Sequence, residues 1–194
     1  ATRKAGFTGE IVVFGEETRM PYNRPPLSKE ALRDGLDEAK LEFRLPRNAQ
    51  DLTWRLGTRV GAADLAARTV TTADGEVVSW SGLVIATGLR PRVLDVPGPR
   101  VGRHVIRTLD DAAGLRDALV GATNVVIVGA GFIGCEVAAT ARKLGVEVDV
   151  VAPESVPMQR PLQGDLGAAL QRRHEAAGVR FHLGTVPVSY GGDQ

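Results

Sequence analysis

The apolar residues of this chain fall into short β-branched runs set between stretches of helical period. The clearest run is Val125–Val128, unbroken and apolar as a strand buried on both faces should be. Beyond it, Ile133, Val137, Ala141 and Leu144 recur at the spacing of one helix face, and Gly145 stands where a helix C-terminus favours glycine. Val146–Val151 is a second β-branched run. The pattern predicts strand, turn, helix, strand. Earlier in the chain it predicts a last helical turn over residues 1–5 stopped by Gly6, then strands at Glu10–Phe14 and Leu56–Val60. Thr69–Ala73 and Val77–Trp80 flank Asp74-Gly75, a hairpin signal. Gly82–Ala86 reads as another buried strand. Leu109–Leu119 reads as helix, as does Leu162–Ala177, which Gly178 ends before a strand at Val179–Leu183. Strands alternating with helices predict an α/β fold. Pro97-Gly98-Pro99 is a linker signal, and the expected domains are 1–105 and 106–194.

Composition narrows the class further. Of 194 residues, 43% are hydrophobic and 24% charged, ordinary for a globular protein. A net charge of +1 gives no electrostatic case for nucleic acid or an acidic membrane surface. No apolar run approaches the roughly 20 residues that cross a bilayer. The N-terminal ATRKAGFTGE lacks the apolar core of a signal peptide. Cys135 is the one cysteine, so an internal disulfide is excluded and no metal site is expected. These features together predict a reducing, cytoplasmic compartment.

Candidate chemistry enters with the glycines. Gly129, Gly131 and Gly134 have the spacing G-x-G-x-x-G between the predicted strand and helix. Gly129 permits a tight turn, Gly131 lets backbone approach a pyrophosphate, and Gly134 lets helix pack on strand. The helix N-terminus offers N–H groups and partial positive charge to phosphate. At the end of the Glu10–Phe14 strand stands Glu16, where a dinucleotide fold holds an adenosine ribose; a solvated turn residue is the equal alternative. Pro25–Pro26 stiffens the next segment, and Ser28 reads as N-cap of a short helix through Leu32 that Gly35 closes. A stiff loop would hold the cations Arg24 and Lys29 at fixed positions suited to a phosphate or a polarised ring.

Three stretches then agree in order: Pro21-Tyr22-Asn23-Arg24-Pro25-Pro26-Leu27-Ser28-Lys29, Ala86-Thr87-Gly88 with Pro91-Arg92, and Gly129-Ala130-Gly131-Phe132-Ile133-Gly134-Cys135-Glu136. With them the chain resembles the FAD-dependent NAD(P)H:ferredoxin reductases, of putidaredoxin and rubredoxin reductase type, in the pyridine nucleotide-disulfide oxidoreductase superfamily. The resemblance implies two Rossmann-like domains, FAD-binding and NAD(P)-binding, of three-layer ββα type, the first incomplete. It implies electrons passing from NAD(P)H through FAD to a small [2Fe-2S] ferredoxin or similar carrier. Glu16, Arg24, Lys29, Val60, Thr87, Gly88 and Arg92 would then serve FAD, with Lys29 reaching toward the flavin ring. Gly129, Gly131, Phe132, Ile133 and Gly134 would receive the NAD(P)H pyrophosphate. Glu136 would face Lys29 at the flavin–nicotinamide contact, so Lys29 and Glu136 are the expected catalytic pair. Cys135, with no second cysteine to resolve it, is expected to pack rather than to carry redox chemistry.

Two departures qualify the resemblance. The acid that follows the second strand of the NAD unit aligns with Ala152; Asp149 lies inside the strand, Glu154 comes two residues late, and Arg160 is the nearest candidate for a 2′-phosphate. The balance leans to NADH. The family's first glycine motif and its later segments also have no counterpart here, which points to part of a longer chain. The alternative reading is a nucleotide-binding module or fragment without redox turnover.

Overall fold

The computed structural model describes residues 2–46 and 50–191. The chain divides into two compact units, Ala1–Asn23 with Glu38–Leu89, and Arg24–Asp37 with Arg90–Gln194. The division thus falls at Leu89–Arg90 and not at the expected 105–106, and Arg24–Asp37 belongs with the second unit. The α/β class is borne out, with both parallel and antiparallel sheets.

In the first unit the turn Arg3–Ala5 ends at Gly6, whose φ of 89° is left-handed, as expected for a stop. Strand β1 (Val12–Phe14) pairs in parallel with β2 (Thr53–Arg55), Val12 opposite Thr53. Strands β3 (Val60–Asp64), β4 (Thr69–Thr72) and β5 (Val77–Ser79) form an antiparallel meander. The Asp74-Gly75 hairpin is present, with Gly75 at φ 93°. The strand expected at Leu56–Val60 is instead a turn between β2 and β3, because Gly57 takes φ 67° and leaves the extended region. The strand expected at Gly82–Ala86 is not formed. Among the described residues no strand pairs with it, and Val84 and Ile85 stand 82% and 69% exposed. An apolar run becomes a buried strand only where neighbours satisfy its backbone and cover its side chains.

The second unit is built on a parallel sheet, β6 (Asn124–Val128), β7 (Glu147–Ala152) and β8 (Val179–Leu183), with β7 in the middle. Helix α4 (Phe132–Lys143) joins β6 to β7, and α5 (Gln159–Ala176) joins β7 to β8. Short helices α1 (Glu30–Asp34) and α2 (Glu38–Leu41) lie earlier in the chain, α1 in this unit and α2 in the first. Helix α3 (Leu109–Leu119) starts at a full capping box: Thr108 Oγ1 accepts from the Asp111 N–H and the Asp111 carboxylate accepts from the Thr108 N–H. Helix α4 ends as the sequence predicts. Gly145 is left-handed, its N–H donates to Arg142 O, and the Val146 N–H reaches back to Ala141 O, which is a Schellman motif.

The core gathers Val148, Val150 and Ala152 of β7, all fully buried, against Val137, Ala138 and Ala141 of α4 and Leu115 and Leu119 of α3. Leu32 of α1 joins the same cluster, and the Arg116 guanidinium donates to Leu32 O at 2.7 Å and Arg33 O at 2.6 Å. Those contacts explain why Arg24–Asp37 sits in this unit. The opposite sheet face is open, which corrects the expectation that Val125–Val128 is buried on both faces. Val126 is 56% exposed. Beside it, Asp149 accepts from Arg180 at 2.7 Å and lies within hydrogen-bond distance of His182 Nε2 at 2.7 Å, while Glu147 also accepts from Arg180. Alternate residues of β7 therefore face an apolar helix and a polar surface.

Candidate functional site

Two arrangements in the second unit can carry chemistry. The first is the glycine turn between β6 and α4. Gly129 takes φ 109°, closed to most side chains. A Cβ at Gly134 would meet Gly129 O at 2.0 Å, so this glycine is required for α4 to lie against the end of β6. A Cβ at Gly129 or Gly131 would meet nothing within 4 Å. Space therefore opens on the side where a ligand would approach. Gly131 is the N-cap of α4, and among the described residues no side chain caps the first-turn N–H groups. The first helical bond is the Cys135 N–H to Gly131 O, at 3.0 Å. Phe132 and Ile133 project from this end and are 58% and 53% exposed. An uncapped helix start with open backbone glycines and two exposed apolar side chains fits the pyrophosphate and flanking rings of a dinucleotide.

The second arrangement joins the Pro25–Pro26 segment to α4. Pro25–Ser28 forms a short turn of 3-10 helix with Leu27 buried, and Lys29 links it to α1. Lys29 Nζ lies 3.0 Å from Glu136 Oε1. Ser28 Oγ donates to Glu136 Oε2 at 2.6 Å. Thr140 Oγ1 lies 2.9 Å from both Ser28 O and Glu136 O, one turn beyond Glu136 on the same helix face. Ser28 is therefore not the N-cap expected of it. Its hydroxyl goes to a carboxylate 108 positions away, because the intervening Lys29 leaves the helical region at φ −123° and ψ −108°. Arg24 Nη1 donates to Arg107 O at 2.6 Å, just before the capping box of α3.

The remaining expected residues are more scattered. Glu16 stands at the end of β1 with its side chain 62% exposed and 4.0 Å from Arg59 Nε. The buried Tyr22 hydroxyl donates to its neighbour Glu17, so Glu17 is engaged inward while Glu16 faces out. Val60 opens β3. Thr87 and Gly88 follow the unpaired Gly82–Ala86 stretch in the first unit, and Arg92 is exposed in the second. At the end of β7, Ala152 is fully buried and its carbonyl accepts from the Thr185 N–H. Asp149 is held by its partners on β8, and Arg180, then His182, bring its carboxyl down to about 2. Burial pushes the Cys135 thiol up to about 11, with the Glu136 charge adding to it. That thiol packs and is not a nucleophile at neutral pH.

The sequence pattern did not mark Thr140 or the Ser28 contact. The available signal was the four-residue spacing of Glu136 and Thr140, which puts both on one face of α4.

The family model for pyridine nucleotide-disulphide oxidoreductase matches residues 1–194. The chain is 41% identical over 190 residues, 96% of its length, to the ferredoxin–NAD(+) reductase component of the anthranilate 1,2-dioxygenase system of Burkholderia cepacia, and spans 47% of that protein. The fold is similar, at a TM-score of 0.92 and 37% identity, to the crystal structure of the ferredoxin reductase for the CYP199A2 system from Rhodopseudomonas palustris, covering 98% of this chain and 48% of that one. It is also similar, at a TM-score of 0.90 and 32% identity, to the reductase in a covalent putidaredoxin reductase–putidaredoxin complex, covering 98% of this chain and 47% of that one. The chain thus spans about half the length of the relatives it matches. With the whole chain matched by the family model and the glycine turn, open helix start and Lys29–Glu136 pair in place, it belongs to the pyridine nucleotide-disulphide oxidoreductase family.

Proposed function

We propose that this chain is part of a flavin-dependent oxidoreductase that draws electrons from NAD(P)H and delivers them to a small [2Fe-2S] ferredoxin or similar carrier in the cytoplasm. The observation that carries the reading is the Lys29–Glu136 pair at 3.0 Å in the unit that also holds the glycine turn. The relatives, named as ferredoxin reductases, support it.

FAD, when bound, supplies the hydride-accepting ring and the split into single electrons. The chain's own residues supply placement and charge. Gly129, Gly131 and the first turn of α4, with Phe132, Ile133 and Gly134, bind the NAD(P)H pyrophosphate and line the approach of its rings. Lys29 holds a positive charge where reduction places a negative one. Glu136 keeps that ammonium in place. Glu16, Arg24, Val60, Thr87, Gly88 and Arg92 are the residues proposed to hold FAD. The buried Ala152 offers no carboxylate to a ribose hydroxyl, and no cation replaces it at that position, so NADH remains slightly favoured.

The test is the visible absorption spectrum of the purified protein before and after anaerobic NADH. Flavin bands that bleach support the reductase. A colourless protein that takes up no added FAD favours the second reading, a nucleotide-binding module or fragment without turnover. The exposed Gly82–Ala86 stretch in the half proposed to hold FAD favours that reading. Gly131→Asp tests the nucleotide site separately. The position has φ −80° and room for a side chain, and an aspartate there caps α4 while placing negative charge where phosphate would sit. The expected result is unchanged or slightly raised stability with NAD(P)H affinity lost by more than about 100-fold, the scale of opposed charge plus a blocked site. Unchanged affinity would overturn the site assignment.

A further inference from the structure

We propose that Ser28 and Thr140 are positioning residues that hold the Lys29–Glu136 pair in a single geometry; this rests on the reading of that pair given above. Lys29 and Glu136 are 41% and 27% exposed in their side chains. A pair that open to water does not fix its own geometry, because the long lysine chain has rotamers to spare and the carboxylate can turn about its last bond. Ser28 changes this. It is 4% exposed, and its hydroxyl has two acceptors in reach, Pro25 O at 3.4 Å and Glu136 Oε2 at 2.6 Å. The shorter contact lies in the range of charge-assisted O–H···O⁻ bonds and takes the proton. Oε2 is thereby engaged from the buried side, and Oε1 is presented to Lys29.

Thr140 fixes the other end of the arrangement. It is buried, and its one hydroxyl proton is divided between Ser28 O and Glu136 O, each 2.9 Å away, so the backbone that carries Ser28 and Lys29 is tied to the helix that carries Glu136. A slip of one helical position between loop and α4 would break both bonds together. The sequence therefore uses two neutral hydroxyls to set where one ammonium stands.

The experiment is a double-mutant cycle in the flavin-loaded protein with S28A, E136Q and S28A/E136Q, alongside Thr140→Val. Rapid mixing with NADH gives the limiting rate of flavin reduction and the NADH dissociation constant. 15N-lysine NMR reports whether the Lys29 ammonium protons are protected from exchange. S28A is expected to slow the limiting rate about tenfold, the scale of one hydrogen bond to a charged group, with the dissociation constant changed less than about threefold. In the E136Q background S28A is expected to slow the rate less than about threefold, because the amide oxygen that replaces the carboxylate accepts only a neutral hydrogen bond. The protected Lys29 signal is expected in the wild type and lost in S28A. Thr140→Val is expected to act in the same direction at about threefold and stands in for S28A should that variant lose flavin. Equal effects of S28A in both backgrounds, or a wild-type rate and a retained Lys29 signal in S28A, would overturn the proposal. A wild-type rate in E136Q would instead overturn the role given to Glu136, and the NMR signal would still decide whether Ser28 holds the pair.

Discussion

Strand β7 and the stretch Gly82–Ala86 both read as strands in the sequence. Both are short and carry branched apolar residues, Val148, Val150 and Val151 in the one and Leu83, Val84 and Ile85 in the other. In the structure they part completely. Val148, Val150 and Ala152 of β7 are fully buried, whereas Val84 and Ile85 are 82% and 69% exposed. The difference lies in the neighbours. Strand β7 has β6 and β8 on its two edges and α4 over one face, all supplied within residues 124–183. Gly82–Ala86 has no paired strand among the described residues. An apolar run carries the capacity for burial; only pairing and a covering layer realise it.

The largest way to break this contrast is to separate α4 from β6. Gly134→Ala puts a Cβ 2.0 Å from a backbone carbonyl that cannot swing aside. The second unit is expected to lose about 3 kcal/mol, at the upper end for overpacking a tight contact, seen as a lower urea midpoint. A neutral result would mean that α4 rests less closely on the strand than described.

A paired substitution sharpens the contrast. Val150→Ala removes fully buried methyls from β7 and is expected to cost about 2 kcal/mol. Val84→Ala removes the same atoms from an exposed site and is expected to stay within about 0.5 kcal/mol. Denaturation of both variants, read by a probe in each unit, checks the pair. Equal costs would show that Val84 is covered in solution.

The smallest effect concerns the open face of the sheet. Asp149 has its carboxyl lowered to about 2 by Arg180 and His182. A lowered folded value means its contribution is full above the usual carboxylate range near 4 and lost as pH falls toward 2. Asp149→Asn is therefore expected to flatten the acid limb of the stability curve between pH 4 and 2. At higher pH it should cost less than about 1 kcal/mol, since the pairs face water. An unchanged acid limb would mean these contacts do not persist in solution.

Much of the second unit was legible without coordinates. The helix Leu109–Leu119 and strand Val179–Leu183 fall at their predicted bounds, and the glycine turn, α4 and its glycine stop follow within a residue or two. These elements are set by local chemistry: periodicity, a capping threonine, and glycines at positions that other residues resist. The hairpin about Asp74-Gly75 was legible for the same reason. Local rules failed where neighbours decide. They placed a strand across Gly57, buried Gly82–Ala86, covered both faces of Val125–Val128, and made Ser28 a helix cap.

The candidate site divides along the same line. The residue types, Lys29 and Glu136 among them, were written in the chain and readable from its motifs. That the Ser28 hydroxyl donates to Glu136, 108 positions away, and that Thr140 ties loop to helix, was not. The sequence by itself determined turns, caps and helix faces, because each depends on a few adjacent residues. Only the tertiary structure decided which apolar runs are buried and which polar groups meet, because those depend on surfaces brought together from distant parts of the chain.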